Sequence, residues 1–150
     1  MKLIPLKTVE EQNAHGGASH VAIITHVDLT ETTANTDQAI AIADVADKVS
    51  VEVVEAILKT PFEDASDAAF NTTALEVGDG SDVDRLLVSQ ELNVNGTEID
   101  RKEGTGTYQY AADDTVDANF NAMTAKALND IDTGEVHIYL RVIDHRNPVQ

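Results

Sequence analysis

Apolar residues recur along most of this chain with period two, the spacing of a strand that buries one face. The first clear run is His20 to Leu29, where Val21, Ile23, Val27 and Leu29 share a face with Thr25 among them. Thr30 to Asp37 is polar and Thr-rich and reads as a loop. Gln38 to Val45 follows, with Ile40 and Ile42 in phase. Val49 to Lys59 is the strongest segment. Val49, Val51 and Val53 alternate, and Val54, Ala56 and Leu58 continue on the other parity. That phase slip predicts a bulge near Val53-Val54. A helix competes for the same piece, because Val53, Val54, Ile57 and Leu58 also fit a 3.6-residue period.

Pro61 closes that strand, and residues 61–67 read as a turn, with room for a short helix before Phe70. Thr73, Leu75 and Val77 form the next strand, stopped by Gly78-Asp79-Gly80. Leu86, Val88, Leu92 and Val94 alternate after it, with Gln90 in phase, and Asn95-Gly96 is a strong turn signal. Ile99 to Gly106 is polar and Gly-rich. Tyr108 and Tyr110 point the same way, and Val116, Ala118 and Phe120 mark another strand. Thr124 to Asn129 reads as one helical turn, and Thr133-Gly134 turns the chain. The last strand is the cleanest: Val136, Ile138, Leu140 and Val142 alternate with Glu135, His137, Tyr139 and Arg141.

The pattern amounts to about seven or eight strands at the spacing of a sandwich or jelly roll. Helical crossovers long enough for a parallel sheet are missing. The expected fold is all-β: a single antiparallel, jelly-roll-like β-sandwich over residues 20–150. Residues 1–19 read as an extended N-terminal arm, broken early by Pro5 and flexible in composition at His15-Gly16-Gly17-Ala18-Ser19.

Composition narrows the function. The chain has 150 residues, the size of one ordinary domain, and enough to bury a core without staples. It holds 27 acidic against 10 basic residues, a formal charge of −17. An acidic surface repels phosphate, which argues against nucleic acid and anionic membranes as partners. It suits solubility and a partner with basic patches. No apolar stretch approaches a membrane span, and the opening residues do not read as a signal peptide, so synthesis in the cytoplasm is expected. Cysteine is absent, which removes disulfides and thiolate metal sites.

Candidate chemistry is sparse. There is no Gly-x-Ser-x-Gly and no P-loop; Gly104-Thr105-Gly106 lacks the further glycine and lysine of a phosphate cradle. His20 and His26 share a strand face but lie about 20 Å apart along it, too far to ligate one ion. His15, His137 and His145 are not gathered with them by the sequence. Asp79-Gly80-Ser81-Asp82-Val83-Asp84 is a candidate calcium loop, although it lacks the EF-hand order; an Asp/Gly turn with capping carboxylates and an Arg85 salt bridge is the plainer reading. With no tryptophan, sugar stacking is weakly supported. The expectation is a protein-binding domain without cofactor, metal or catalysis.

Several phrases carry a resemblance. They are residues 61–67, Gly78-Asp79-Gly80-Ser81-Asp82-Val83-Asp84-Arg85, residues 108–115, and the ending Gly134 to Asp144. Together they resemble head decoration, or cement, proteins of tailed bacteriophages, over about residues 55 to 144. The resemblance implies a β-rich virion protein, often a trimer, that clamps neighbouring copies of the major capsid protein on the outer surface of the shell. It also implies that the arm acts as a latch, through Lys2, Leu3, Ile4, Leu6 and Lys7. The outward face His137, Tyr139 and Arg141 is the second candidate contact. The alternatives are a tail, neck or fibre-base component, or a sugar- or calcium-binding module.

Overall fold

The computed structural model describes residues 1–67, 73–93 and 101–146. Strand β1 (Lys2–Pro5) and a short helix α1 (Val9–Ala14) precede β2 (His20–Thr25). Strands β3 (Gln38–Val45), β4 (Val49–Glu63), β5 (Ala74–Asp79) and β6 (Asp82–Glu91) follow. The chain ends with β7 (Arg101–Glu103), β8 (Thr107–Gln109), β9 (Asp114–Phe120) and β10 (Thr133–Asp144).

Every ladder among the described residues is antiparallel, and the pairs are nested. β5 pairs with β6, β4 with β7 and β8, β3 with β9, and β2 with β10. The second half of the chain thus retraces the first as one long ribbon. Two further ladders, β10 with β4 and β9 with β5, fold that ribbon onto itself. The result is two sheets, β1-β2-β10-β4-β7 (with β8 also on β4) and β3-β9-β5-β6. This is the wrapping of a jelly roll.

The facing sides of the two sheets form one core. Ala22, Ile24, Val51, Val53, Ile138 and Leu140 from the first sheet meet Ile42, Leu75, Val77, Leu87, Val116 and Phe120 from the second. Phe62 and Phe120 touch across the gap, with ring centroids 5.5 Å apart and planes tilted by 54°.

The expected bulge in β4 is present. Tyr139 pairs with Glu55 and Leu140 with Val53, so Val54 is the extra residue. After it, Ala56 and Leu58 take over the inward face. The opposite edge of β4 is interrupted at the same place. β8 pairs with Ser50–Glu52 and β7 with Glu55–Ile57, and Gly104 lies between them. A side chain there would strike the backbone carbonyls of Val53 and Leu86.

Several expectations change. Pro61 does not close β4, which runs on to Glu63. β7 reaches only Ile57 on that edge, so the missing N–H of Pro61 leaves no β7 bond unmade. Thr133 and Gly134 open β10 instead of turning the chain. In β2 the inward residues are Ala22 and Ile24, while Val21 and Ile23 face outward. That strand ends at Thr25. A 3-10 turn at His26–Asp28 follows, in which the Asp28 carboxylate accepts from the Thr25 N–H at 2.9 Å.

In β6, Leu86 and Leu87 are both buried and Val88 is exposed, and the β5–β6 register shifts on both sides of the Val77–Leu87 pair. Part of the stretch read as a Gly-rich loop is β7. The helical turn expected over 124–129 is a 3-10 turn at Leu128–Asp130. The readings at Phe70, Val94 and Asn95-Gly96 lie outside the described residues.

Candidate functional site

The most elaborate surface is the outer face of the first sheet, where residues 1–19 lie. The segment read as an extended arm is docked on its own domain. β1 pairs with β2, placing Ile4 opposite Val21 and Lys2 opposite Ile23. The Leu6 N–H donates to the Ser19 carbonyl at 2.8 Å, which ties the end of this stretch back to the start of β2.

α1 begins with a capping box. The Thr8 hydroxyl accepts from the Glu11 N–H at 3.1 Å, and the Glu11 carboxylate accepts from the N–H groups of Thr8 and Lys7. Those two backbone bonds hold the Glu11 carboxyl below the usual range. The helix ends at His15, and Gly16 and Gly17 follow with φ of +61° and +81°. The left-handed backbone there favours glycine.

This docking creates a second apolar cluster, separate from the main core. Ala18, Val21 and Tyr139 are its buried members, with Ile4, Leu6, Ile23, Val54 and Ile57 around them. Polar contacts fix its rim. The His15 ring lies flat on the Tyr139 ring, and its Nδ1 is 2.6 Å from Glu55 Oε1. Glu55 is buried, and Arg101 holds its other oxygen. Arg141 donates to the Gly16 and Gly17 carbonyls and pairs with Glu52 at 2.8 Å. Burial, with the Glu55 carboxylate next, pushes the Tyr139 phenol above its ordinary value.

The residues singled out from the sequence therefore divide. Lys2, Leu3 and Lys7 are exposed. Ile4 and Leu6 are half-buried on the domain's own sheet. Tyr139 is only 8% exposed, and Arg141 grips the Gly16-Gly17 backbone. His137 Nε2 lies 2.7 Å from the Glu135 carboxylate. Arm and sheet face, expected as two separate contact surfaces, are brought together against each other. His15, weighed only as one of five histidines, and Glu55 and Arg101, which were not singled out, complete the arrangement. The one sequence signal was an aromatic ring immediately before two glycines.

α1 arches over part of this face. Between helix and sheet is a cavity of about 410 Å³, lined by Leu6, Ala14, Val21, Ile23 and Tyr139, with Glu10 and Glu11 on the helix side and His15 and His137 also on its walls. A second groove of about 500 Å³ lies at one end of the sandwich, where Asp44, Asp113, Asp114 and Asp144 surround Val45 and Val49. Arg146 reaches into it, and its hydrogen bonds to Asp144 pull that carboxyl down to about 2.

The Asp79 loop is an internally bonded turn. Asp79 Oδ1 accepts from the Ser81 hydroxyl at 2.6 Å and from the Ser81 and Asp82 N–H groups at 3.0 Å. Arg85 lies 2.8 Å from its other oxygen and 3.9 Å over the Tyr108 ring. Burial raises the Asp79 carboxyl, but the Ser81 bonds and Arg85 outweigh burial and hold it below the usual range. Among the described residues no group of three or more His, Asp or Glu side chains converges as a metal site. No described helix is long and apolar enough to cross a membrane.

This surface combines apolar area with fixed charge. Compared with known proteins, the chain matches no family model, no curated protein and no solved structure.

Proposed function

We propose that this chain is a virion structural protein that binds the outer surface of a tailed-phage capsid and cements it by bridging copies of the major capsid protein. On this reading it works as a homo-oligomer, a trimer, and carries no catalytic step. The support is the jelly-roll wrapping with a self-docked N-terminal segment, a rigid body that presents side chains on a fixed face. Jelly rolls recur in viral shells, an analogy at the level of fold. The turn phrases that resemble decoration proteins point to the same class. A charge of −17 suits attachment to a partner with basic patches and disfavours nucleic acid.

The test is co-sedimentation of the purified chain with undecorated capsids. Saturable, stoichiometric binding supports the reading. Intact protein that stays in the supernatant at every concentration overturns it. Immunogold label on the tail or neck would assign the chain to the other part of the virion.

A further inference from the structure

We infer that the cavity beneath α1 is a docking pocket for one apolar side chain flanked by Lys or Arg on the partner protein. This rests on the protein-binding reading above and names the site that performs it.

The helix has no buried residue, yet it spans an apolar floor made by Val21, Ile23 and Tyr139. Its underside therefore does not fill the space it covers. An unfilled apolar gap forfeits the dispersion contacts its walls could make, and an entering side chain restores them. The volume, about 410 Å³, is within the range of ligand pockets.

The pocket is held open from both ends. The capping box fixes the start of α1. The His15–Glu55 contact, the His15–Tyr139 stack and the grip of Arg141 on Gly16 and Gly17 fix its end. A preformed site avoids the ordering cost of binding.

Charge selects the occupant. Glu10 and Glu11 stand on the helix side, and the two histidines of the lining, His15 and His137, each face a carboxylate, of Glu55 and Glu135. The fixed field at the mouth is negative on a chain of −17. At this pocket a cationic neighbour beside an apolar group is favoured.

The test uses the full-length chain and amide-resolved NMR with small probes. Phenethylammonium should give saturable shifts at Leu6, Ala14, Val21, Ile23 and Tyr139. Phenylacetate, with the same ring and opposite charge, should bind there several-fold more weakly. Ala14→Phe should obstruct the cavity and abolish the shifts, and Glu10→Gln, at an exposed position, should weaken phenethylammonium several-fold. Absence of saturable shifts at these residues, or equal binding of the anion, overturns the pocket. So does full binding by Ala14→Phe with core amides unchanged.

Co-sedimentation of the same variants with capsids separates the two readings. If wild type and Ala14→Phe bind shells equally, decoration stands and the pocket's role falls. If neither binds, the decoration reading falls, and the probe result still decides the pocket.

Discussion

The His15 imidazole lies face to face with the Tyr139 ring, 3.6 Å between centroids and 13° between planes. One residue follows the N-terminal helix and the other lies in the last strand, so this stack joins the two ends of the chain. It also aims His15 Nδ1 at Glu55, a carboxylate only 3% exposed. Replacing His15 with Ala should leave that oxygen without its partner, a loss of about 1–3 kcal/mol. Urea unfolding should show the loss. Amide exchange should speed at residues 9–17 while the core strands stay protected.

Removing Met1 to Gly17 should leave a folded domain. No residue of that segment belongs to the main core, which begins at Ala22. The truncation uncovers Val21, Ile23 and Tyr139 and frees the edge of β2. At about 1.5–3 kcal/mol for each large apolar side chain re-exposed, the expected loss for the three is roughly 5–9 kcal/mol. Unfolding should remain one cooperative transition at a lower denaturant midpoint. Loss of all near-ultraviolet signal in buffer would show that the segment is indispensable to the fold.

Two glycine substitutions should separate a required glycine from a dispensable one. Gly134 has φ +144° and a side chain there would run into the Phe62 ring, whereas a Cβ at Gly80 meets nothing within 4 Å. Gly134→Ala should cost about 2–4 kcal/mol, because it adds backbone strain to a clash in a packed core. Gly80→Ala should stay within about 0.5 kcal/mol of the parent. Paired thermal melts check both.

Asp79 gives a pH dependence of known sign. Its carboxyl is held below the ordinary value near 3.9 when folded, so its contribution is complete above that value and is lost as pH falls through the folded one. Asp79→Asn should therefore destabilise by about 2 kcal/mol at pH 7. The gap between variant and parent should narrow as the pH is taken from 7 to below the ordinary carboxyl value near 3.9. Urea titrations at the two pH values measure this.

The sequence was most legible where one face of a strand carries polar residues. β10 alternates cleanly because Val136, Ile138 and Leu140 meet the core while Glu135, His137 and Arg141 do not. The β4 bulge was visible because the valines change parity across it. β2 misled because Val21, Ala22, Ile23 and Ile24 are all apolar: one parity serves the core and the other the cluster under residues 1–18. Periodicity cannot rank two buried faces.

The site was half legible for a related reason. Tyr139 and Arg141 stood out on an outward face, but what they hold, His15 to Gly17, comes from the other end of the chain. Composition at His15-Gly16-Gly17 reads as freedom, yet the left-handed backbone of the two glycines is what lets their carbonyls meet Arg141. Glu55 was hidden because its partners, His15 and Arg101, lie about forty residues or more away along the chain.

The central claim is that this jelly roll sits on the outside of a phage shell. Cryo-electron microscopy of undecorated capsids, imaged with and without the purified chain, tests it most directly. The account predicts difference density at regular positions on the outer surface, bridging capsid subunits, into which the two-sheet body fits. Unchanged shells at saturating protein, or density confined to the tail or portal vertex, would contradict it.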